Sequence, residues 1–222
     1  MRLLELFSGT GSVGAAFRRA GWDVVSVDLD PDAVPDICAD VLDLDYHALW
    51  QPGDFDAVHA SPPCTQYSRA RTTARTPRDL EGADAIVKRT LEIIFYLQPT
   101  CFIVENPYTG MMKDRPVMHF MTPLMRVVTY CTYGLPYKKQ TAIWSNLLLW
   151  RPRRACSKLF PCEHLCFGRH PATAQRGPGR SVNGYLENDR FGLNDLYRIP
   201  AELCDEWADA ATRQVQARAA AA

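Results

Sequence analysis

A glycine-rich turn between an apolar run and a helical pattern constrains the fold of this chain more than any other feature. Residues 2–7 form an apolar run typical of a strand, and the motif Gly9-x-Gly11-x-x-Gly14 follows it and leads into a helical pattern. The next apolar run, residues 23–27, ends in Asp28. A strand, a glycine turn, a helix and a second strand that ends in an acid predict a βαβ unit with a nucleoside bound above the turn.

The alternation of strands and helices continues along the chain. Further strands are predicted at 37–39, 55–60 and 101–104, with a helix at 81–97. This order predicts a right-handed, mostly parallel α/β sheet. Residues 127–133 and 141–149 predict a late strand pair similar to a β-hairpin, and a final helix is expected from Ile199-Pro200 onward.

Composition narrows the class of protein. The 222 residues carry a net charge of zero, with no apolar run long enough for a membrane span and no signal-peptide pattern, so we expect an intracellular protein. Eight cysteines in such a chain favour thiols or metal ligands over disulfides. Residues 1–60 hold three basic against eleven acidic residues, whereas 61–150 hold eleven against six and 151–190 eight against three. The basic middle favours contact with a polyanion.

The glycine motif leaves two classes of nucleoside ligand open, NAD(P) and S-adenosylmethionine. The surrounding acids, Asp28, Asp30, Asp32 and Asp40, suit a cationic sulfonium better than a pyrophosphate. Asp40 follows the third strand, where a carboxylate can accept a hydrogen bond from an adenine amino group. The sequence therefore favours S-adenosylmethionine. A dehydrogenase is the weaker alternative, because no set of hydride-transfer residues accompanies the motif.

A rigid turn presents one cysteine after the fourth strand. The apolar run 55–60 leads into Ser61-Pro62-Pro63-Cys64, and the two prolines stiffen the backbone before the thiol. Covalent catalysis needs a nucleophile held in this way, so Cys64 is a candidate nucleophile. The alternative is a small buried cysteine that only fills space.

On these residues the chain resembles the DNA (cytosine-5)-methyltransferase family. The matching motifs are Phe7-Ser8-Gly9-Thr10-Gly11, Asp28, Asp40, Pro63-Cys64-x-x-x-Ser68, Glu105-Asn106, and Tyr133-Gly134-Leu135-Pro136 with Lys138-Lys139. They occur in family order over residues 2–146. The chain departs from the family at Pro107, at Lys139 and Thr141 where arginines are expected, and in the 76 residues after Asn146, too few for the family's large target-recognition region.

The resemblance implies a fold, a cofactor and a reaction. The expected fold is a Rossmann-like, S-adenosylmethionine-dependent methyltransferase sheet with a small Cys/His-containing appendage. Its parts would be a catalytic domain at 1–150, a basic Cys/His-rich segment at 151–195 and a C-terminal helix at 196–222. The reaction would methylate C5 of a cytosine flipped out of DNA, through a covalent bond between Cys64 and C6.

The resemblance also implies a set of site residues. The catalytic residues would be Cys64, Glu105, Asn106 and Lys139. The cofactor-binding residues would be Phe7, Gly9, Thr10, Gly11, Asp28, Leu29, Asp40, Val41 and Pro62. We further expect a cytoplasmic, bacterial or phage-encoded monomer of the restriction-modification type, with a partner chain as a further possibility for target recognition.

Two other functions stay open at this point. Ser61-Pro62-Pro63 also resembles the Ser-Pro-Pro-aromatic motif of enzymes that methylate the N4 amine of cytosine, although Cys64 stands where the aromatic residue would stack. A cofactor-dependent nucleic-acid binder without catalysis is the second alternative, because Thr141 and the short C-terminal part depart from the family.

Basic residues around the candidate nucleophile predict contacts with phosphates. The predicted DNA-binding residues are Ser68, Arg69, Arg71, Arg75, Lys138 and Arg169. The loop 69–78 can close over a flipped base, and the alternative is a solvated loop without a ligand.

A cluster of metal-ligand residues follows in the pattern Cys156-x5-Cys162-x-His164-x-Cys166-x3-His170. Thiols and imidazoles at such density predict a structural zinc ion held by Cys156, Cys162, Cys166 and His170. The alternative is a loop in which His164 or His170 contacts nucleic acid.

Overall fold

A computed structural model describes residues 1–69, 71, 74–165, 169–170, 172–173, 177–178 and 193–221. The strands are β1 (Arg2–Leu6), β2 (Asp23–Asp28), β3 (Ile37–Cys38), β4 (Ala57–Ala60), β5 (Cys101–Pro107), β6 (Met125–Thr129), β7 (Gln140–Ser145), β8 (Ala172–Thr173) and β9 (Gly177–Pro178). The α-helices are α1 (Ser12–Arg19), α2 (Tyr46–Leu49), α3 (Leu80–Leu97), α4 (Leu193–Tyr197) and α5 (Ala201–Ala221). Short 3-10 helices lie at Pro31–Ala33, Met112–Asp114, Pro116–Leu124 and Tyr130–Tyr133.

Seven strands form one sheet in the order β3-β2-β1-β4-β5-β7-β6. The first five strands are parallel, and β7 runs antiparallel to both β5 and β6. The predicted mostly parallel α/β sheet and the late strand pair are therefore confirmed. Because β1 and β4 are neighbours, the chain reverses direction across the sheet there, which is where ligands bind in open α/β sheets.

Each face of the sheet is covered by helices. Leu3 of β1 packs with α1 and α5, whereas Leu4 and Leu6 pack with α3 on the opposite face. The same alternation holds in β5, where Ile103 faces α1 and α5 and Val104 faces α3. By this parity Glu105 lies on the α1 and α5 face and Asn106 on the α3 face.

β5 is longer than the sequence predicts, since the strand continues to Pro107. Its extension pairs with β7, where Glu105 lies opposite Ile143 and Asn106 opposite Ala142. A partner strand that comes later in the chain gives no local signal, so the sequence predicts both residues at the end of the strand instead of within it.

The last helix belongs to the same layered core. α5 packs against α1, and its Trp207 is fully buried beside Trp150 and His59. In the part of the chain that the structure describes, no helix combines the length and apolar character needed to cross a membrane.

Candidate active site

A cavity opens at the carboxyl ends of the parallel strands. Its volume is about 590 Å³, which falls in the range of about 300–1,000 Å³ that small-molecule sites occupy. The turn after β1 and the acids after β2 and β3 line one side, and the loop after β4 and the end of β5 line the other. Cys64, Glu105 and the glycine turn therefore share one cavity.

The glycine turn requires backbone angles that other residues avoid. Gly9 has φ +46° and Gly11 has φ +65°, both in the left-handed region. The Gly9 amide donates a hydrogen bond to Asp28 Oδ2 at 2.8 Å. This bond fastens the turn to the end of β2, so the turn and the acid form one rigid wall.

Eight of the nine predicted cofactor-binding residues line the cavity, namely Phe7, Gly9, Thr10, Asp28, Leu29, Asp40, Val41 and Pro62. Gly11 is outside the cavity lining, at the cap position before α1. Backbone amides orient the side chains of Asp28 and Asp40. The Asp30 amide donates to Asp28 Oδ1 and the Leu42 amide donates to Asp40 Oδ1, each at 2.9 Å. Both carboxylates keep lone pairs for a ligand. Leu29 is 65% exposed beside them, which gives a flat apolar group a surface to cover.

Glu5 is a cavity residue that the sequence analysis missed. It is 1% exposed, and its Oε1 accepts a hydrogen bond from the Gly14 amide at 3.1 Å. Burial raises the pKa of this carboxyl to about 7. A Cβ atom on Gly14 would lie 2.3 Å from Glu5 Oε2, so the third glycine is required by the carboxylate's close approach. The only signal in the sequence is an acid within the apolar run of β1.

The loop that carries Cys64 is anchored at two points. The Ser61 hydroxyl donates to the Phe7 carbonyl at 3.1 Å, and Asn106 Nδ2 donates to the Pro62 carbonyl at 2.8 Å. Pro62 is buried and Cys64 is half-buried at the cavity wall. The thiol is thus held in place while it stays accessible from the cavity.

Glu105 is held by a residue with no motif of its own. The Tyr130 hydroxyl donates to Glu105 Oε1 at 2.9 Å, and both residues are buried. Lys139 Nζ lies 4.9 Å from the centre of the Tyr130 ring and donates to the Leu196 carbonyl at 3.3 Å. The thiol of Cys64, the carboxylate of Glu105 and the ammonium group of Lys139 therefore lie close together in the cavity, where they can bind a small polar ring.

The charges at this end act on the thiol in opposite directions. Burial and the nearby Glu105 carboxylate raise the pKa of the Cys64 thiol, and the Lys139 ammonium lowers it by less. The thiol is consequently protonated at neutral pH. A covalent reaction at Cys64 has to begin with loss of this proton.

His59 also lines the cavity but has a different character. It lies on β4 opposite Glu5 of β1, is fully buried, and neither ring nitrogen has a hydrogen-bond partner among the described residues. Burial lowers the pKa of His59 to about 3, so the imidazole is neutral at physiological pH. No motif or spacing in the sequence singles out His59.

The predicted DNA-binding residues, Ser68, Arg69, Arg71, Arg75, Lys138 and Arg169, are outside the cavity lining. Arg69 pairs with Asp114 at 3.6 Å, and Arg71 donates to the Thr76 carbonyl at 3.0 Å. Arg75, Lys138 and Arg169 are exposed. Exposed ion pairs contribute little, so such arginines can exchange a protein partner for a phosphate.

Three of the four predicted zinc ligands come together. Cys156, Cys162 and His170 lie in one cluster, and Cys131 is its fourth member. Cys166 lies outside the described residues. Cys131 was not predicted because it is distant in sequence from the other three.

Comparisons with known proteins show what the chain is similar to. A family model described as C-5 cytosine-specific DNA methylase matches residues 1–116. A Frog virus 3 (isolate Goorha) protein named "Probable DNA (cytosine-5)-methyltransferase" is 41% identical over 229 residues, covering 94% of this chain and 99% of that protein. The Type II methyltransferase M.AquIA of Picosynechococcus sp. is 27% identical over 62% of this chain and 60% of its own length. The solved structure of the Entamoeba histolytica methyltransferase EhMeth superposes with a TM-score of 0.47 at 15% identity, over 71% of this chain and 55% of that one.

Proposed function

Because the chain belongs to the C-5 cytosine-specific DNA methylase family, we propose that it transfers a methyl group from S-adenosylmethionine to C5 of cytosine in DNA. The observation that carries the proposal is the shared cavity, which the glycine turn, Cys64 and Glu105 line together. The family match argues against both alternatives. One is methylation of the N4 amine, which does not need a cysteine at position 64, and the other is DNA binding without catalysis.

The cofactor is proposed to bind along the part of the cavity wall that lies between Glu5 and Val41 in the sequence. Asp28 is proposed to accept hydrogen bonds from ribose hydroxyls, and Asp40 from the adenine amine. The backbone amides that orient both carboxylates support this assignment. Leu29 and Val41 offer apolar surface to the adenine. S-adenosylmethionine supplies an electrophilic methyl group on a cationic sulfonium, and the acidic wall suits that charge.

Cys64 makes the target carbon reactive. Cytosine C5 is a weak nucleophile, and addition of the Cys64 thiolate to C6 converts the ring to an enamine whose C5 can accept the methyl group. A water molecule is proposed to take up the C5 proton, and cleavage of the bond between sulfur and C6 then releases the cysteine as its thiolate and restores the aromatic ring. The anchored loop supports this role because it fixes the sulfur relative to the cavity.

Glu105 is proposed to hold the opposite edge of the ring. As Cys64 loses its proton and the sulfur adds to C6, negative charge moves to N3. The Glu105 carboxylate is proposed to take up the thiol proton and to donate it to N3. The Tyr130 hydroxyl fixes the orientation of Glu105, and Asn106 holds the cysteine loop. Lys139 is proposed to balance the negative charge of Glu105 and of the Cys64 thiolate, because it is the cation that lowers the pKa of the Cys64 thiol.

DNA is proposed to bind over the mouth of this cavity. A cytosine within a duplex has to leave the stack to reach Cys64, because the thiol lies on the wall of a cavity. Arg69, Arg71, Arg75, Lys138 and Arg169 are proposed to contact phosphates. A catalytic domain at 1–150, a monomeric state and recognition by a partner chain stay predictions from the sequence.

A structural zinc ion is proposed as a second bound group. It is supported by the Cys/His cluster, whose four residues are all outside the cavity lining. Four protein ligands leave no position for substrate, so the methyl transfer does not pass through the metal.

Covalent trapping on DNA that contains 5-fluorocytosine tests the proposed reaction. Fluorine at C5 prevents the elimination, so the chain should stay bound to the base through Cys64, and the trapped peptide can be identified by mass spectrometry. Cys64→Ser should abolish trapping and the formation of 5-methylcytosine while cofactor binding stays within about threefold. Cys38→Ser, at an exposed cysteine outside the cavity lining, is the matched control and should trap as the parent does. Methylation by Cys64→Ser at the parental rate would refute the covalent route.

A further inference from the structure

Four metal-ligating side chains converge outside the lining of the cavity. One ligand atom each from Cys131, Cys156, Cys162 and His170 lies within 4.8 Å of all the others. The first two residues are buried and the other two are half-buried. All three cysteines are free thiols. Two buried thiols beside an imidazole are a soft donor set, which zinc prefers.

The distances within the cluster fit tetrahedral zinc. Bonds of about 2.3 Å to sulfur and about 2.0–2.1 Å to nitrogen place a sulfur and a nitrogen ligand about 3.5–3.6 Å apart on a tetrahedron. His170 Nε2 lies 3.6 Å from Cys156 Sγ and 3.3 Å from Cys162 Sγ. These two distances are close to the spacing that a zinc ion would impose, and no pair of ligand atoms is more than 4.8 Å apart.

The ligands come from two separate parts of the chain. Cys131 lies in the 3-10 helix Tyr130–Tyr133 directly after β6, whereas the other three follow β7. Within residues 151–165, Cys156 is the only buried residue, and Leu159 and Phe160 are 84% and 45% exposed. This segment has no apolar core of its own, which is the situation in which small protein units depend on a metal.

We propose that a zinc ion bound by Cys131, Cys156, Cys162 and His170 fastens residues 151–165 and His170 to the end of β6 and thereby fixes Tyr130, which holds Glu105. The link to Glu105 rests on the function proposed above, whereas the metal site does not. Cys131 replaces Cys166 of the ligand set predicted from the sequence.

The contacts around Tyr130 explain why the metal would act on the active site. The residue before it, Thr129, accepts a hydrogen bond at its Oγ1 from the Cys156 amide at 3.0 Å. The residue after it, Cys131, is a proposed ligand of the same metal. Tyr130 is thus held on both sides by contacts to the metal-binding segment. Its hydroxyl in turn fixes the orientation of Glu105 through their hydrogen bond. Tyr130 is a positioning residue in this arrangement.

Metal content tests the site independently of catalysis. The full chain, purified without added chelator, should carry about one zinc ion by elemental analysis, and cobalt substitution should give the visible bands of a tetrahedral thiolate site. Cys131→Ser and Cys156→Ser should lose the metal on dialysis. Cys38→Ser and Cys166→Ser should retain it, because both cysteines are outside the proposed ligand set.

Two results would overturn the site. The first is a parent chain that is folded but contains no zinc, and in which the three cysteines either form disulfides or fail to bind added zinc or cobalt. The second is retention of one zinc ion by Cys131→Ser. If Cys166→Ser then lost its zinc, the ligand set would be the one predicted from the sequence, with Cys166 as the fourth ligand.

The link to Glu105 is tested by comparing binding with chemistry. Removal of zinc, or Cys131→Ser, should slow trapping on 5-fluorocytosine DNA by about 10–100-fold, which is the usual effect of losing a residue that orients another functional group. The affinity for S-adenosylmethionine should stay within about threefold. Tyr130→Phe should slow trapping similarly and keep its zinc. Trapping at the parental rate by a zinc-free chain would refute the link. A parent chain that binds zinc but does not trap would refute the proposed function alone.

Discussion

Glu5 and Glu105 are two buried acids on the same face of the sheet, and both line one cavity. Glu5 lies against the glycine turn, at what we call the cofactor end, and Glu105 lies near Cys64, at the catalytic end. Glu5 is 1% exposed and accepts its hydrogen bond from a backbone amide of the glycine turn, nine residues away in sequence. Glu105 is 6% exposed and accepts its hydrogen bond from the side chain of Tyr130, 25 residues away. The cofactor end is built from local backbone, whereas the catalytic end is built from side chains that the strand order brings together. The two ends should therefore respond differently to the same substitution.

The largest difference is expected when each carboxyl is replaced by an amide. Glu105→Gln removes the proposed proton donor to N3 and should lower the single-turnover rate of methyl transfer by about 10²–10⁴-fold, the usual contribution of general acid catalysis. Affinity for S-adenosylmethionine, measured by calorimetry, should change less than about threefold. Glu5→Gln should reduce the same rate by less than about tenfold. Similar losses in the two variants would show that the cavity ends do not have separate roles.

The next effect concerns stability, and it should appear at Glu5. Burial raises the pKa of Glu5 from 4.5 to about 7, so the folded chain binds a proton that the unfolded chain has released between these values. The stabilisation by the protonated carboxyl is complete below about pH 4.5 and is lost as the pH rises to about 7. At about 1.4 kcal/mol for each unit of pKa, the loss is about 3 kcal/mol.

Urea denaturation of the parent and of Glu5→Gln at several pH values measures this loss. The amide can still accept from Gly14 but does not titrate, so the difference in unfolding free energy between the two proteins should change by about 3 kcal/mol across the window. A constant difference from pH 4.5 to pH 8 would show that Glu5 is ionised with its ordinary pKa.

The same comparison shows what the sequence can predict. The order of strands and helices, the glycine turn, Asp28 and Cys64 follow from local patterns, because each depends on residues within a few positions of one another. Tyr130 and Cys131 were missed, since their partners lie far from them in the sequence. They meet these partners only through the pairing of β6 with β7 and the approach of Cys156, Cys162 and His170. Glu5 was missed for another reason, because periodicity shows that an acid is buried but not which amide it accepts from.

A smaller effect is expected at the glycine that admits Glu5. A Cβ atom on Gly14 would lie 2.3 Å from Glu5 Oε2 and 3.2 Å from Arg18 Nη1, so Gly14→Ala should destabilise the fold by about 1–3 kcal/mol. The cost should fall in a Glu5→Ala background, where the clashing oxygen is absent. A double-mutant cycle measures this coupling. Equal costs in both backgrounds would place the strain in the backbone of α1.

The smallest effect is expected at the catalytic end, in the reactivity of the Cys64 thiol. Burial and Glu105 hold its pKa above the ordinary value of 9.0, and Lys139 opposes them. Only the thiolate reacts with iodoacetamide, so labelling of Cys64 should increase about tenfold per pH unit from pH 7 to pH 9. Glu105→Gln removes a negative charge, lowers the pKa and should speed labelling several-fold at pH 8, whereas Lys139→Met raises the pKa and should slow it. Glu5→Gln is the matched control and should leave the rate unchanged, because Glu5 does not contribute to the pKa of Cys64. If Glu105→Gln slowed labelling instead, the charge of Glu105 would not be what holds the pKa of Cys64 above its ordinary value, and the separate roles of the two carboxylates would have to be revised.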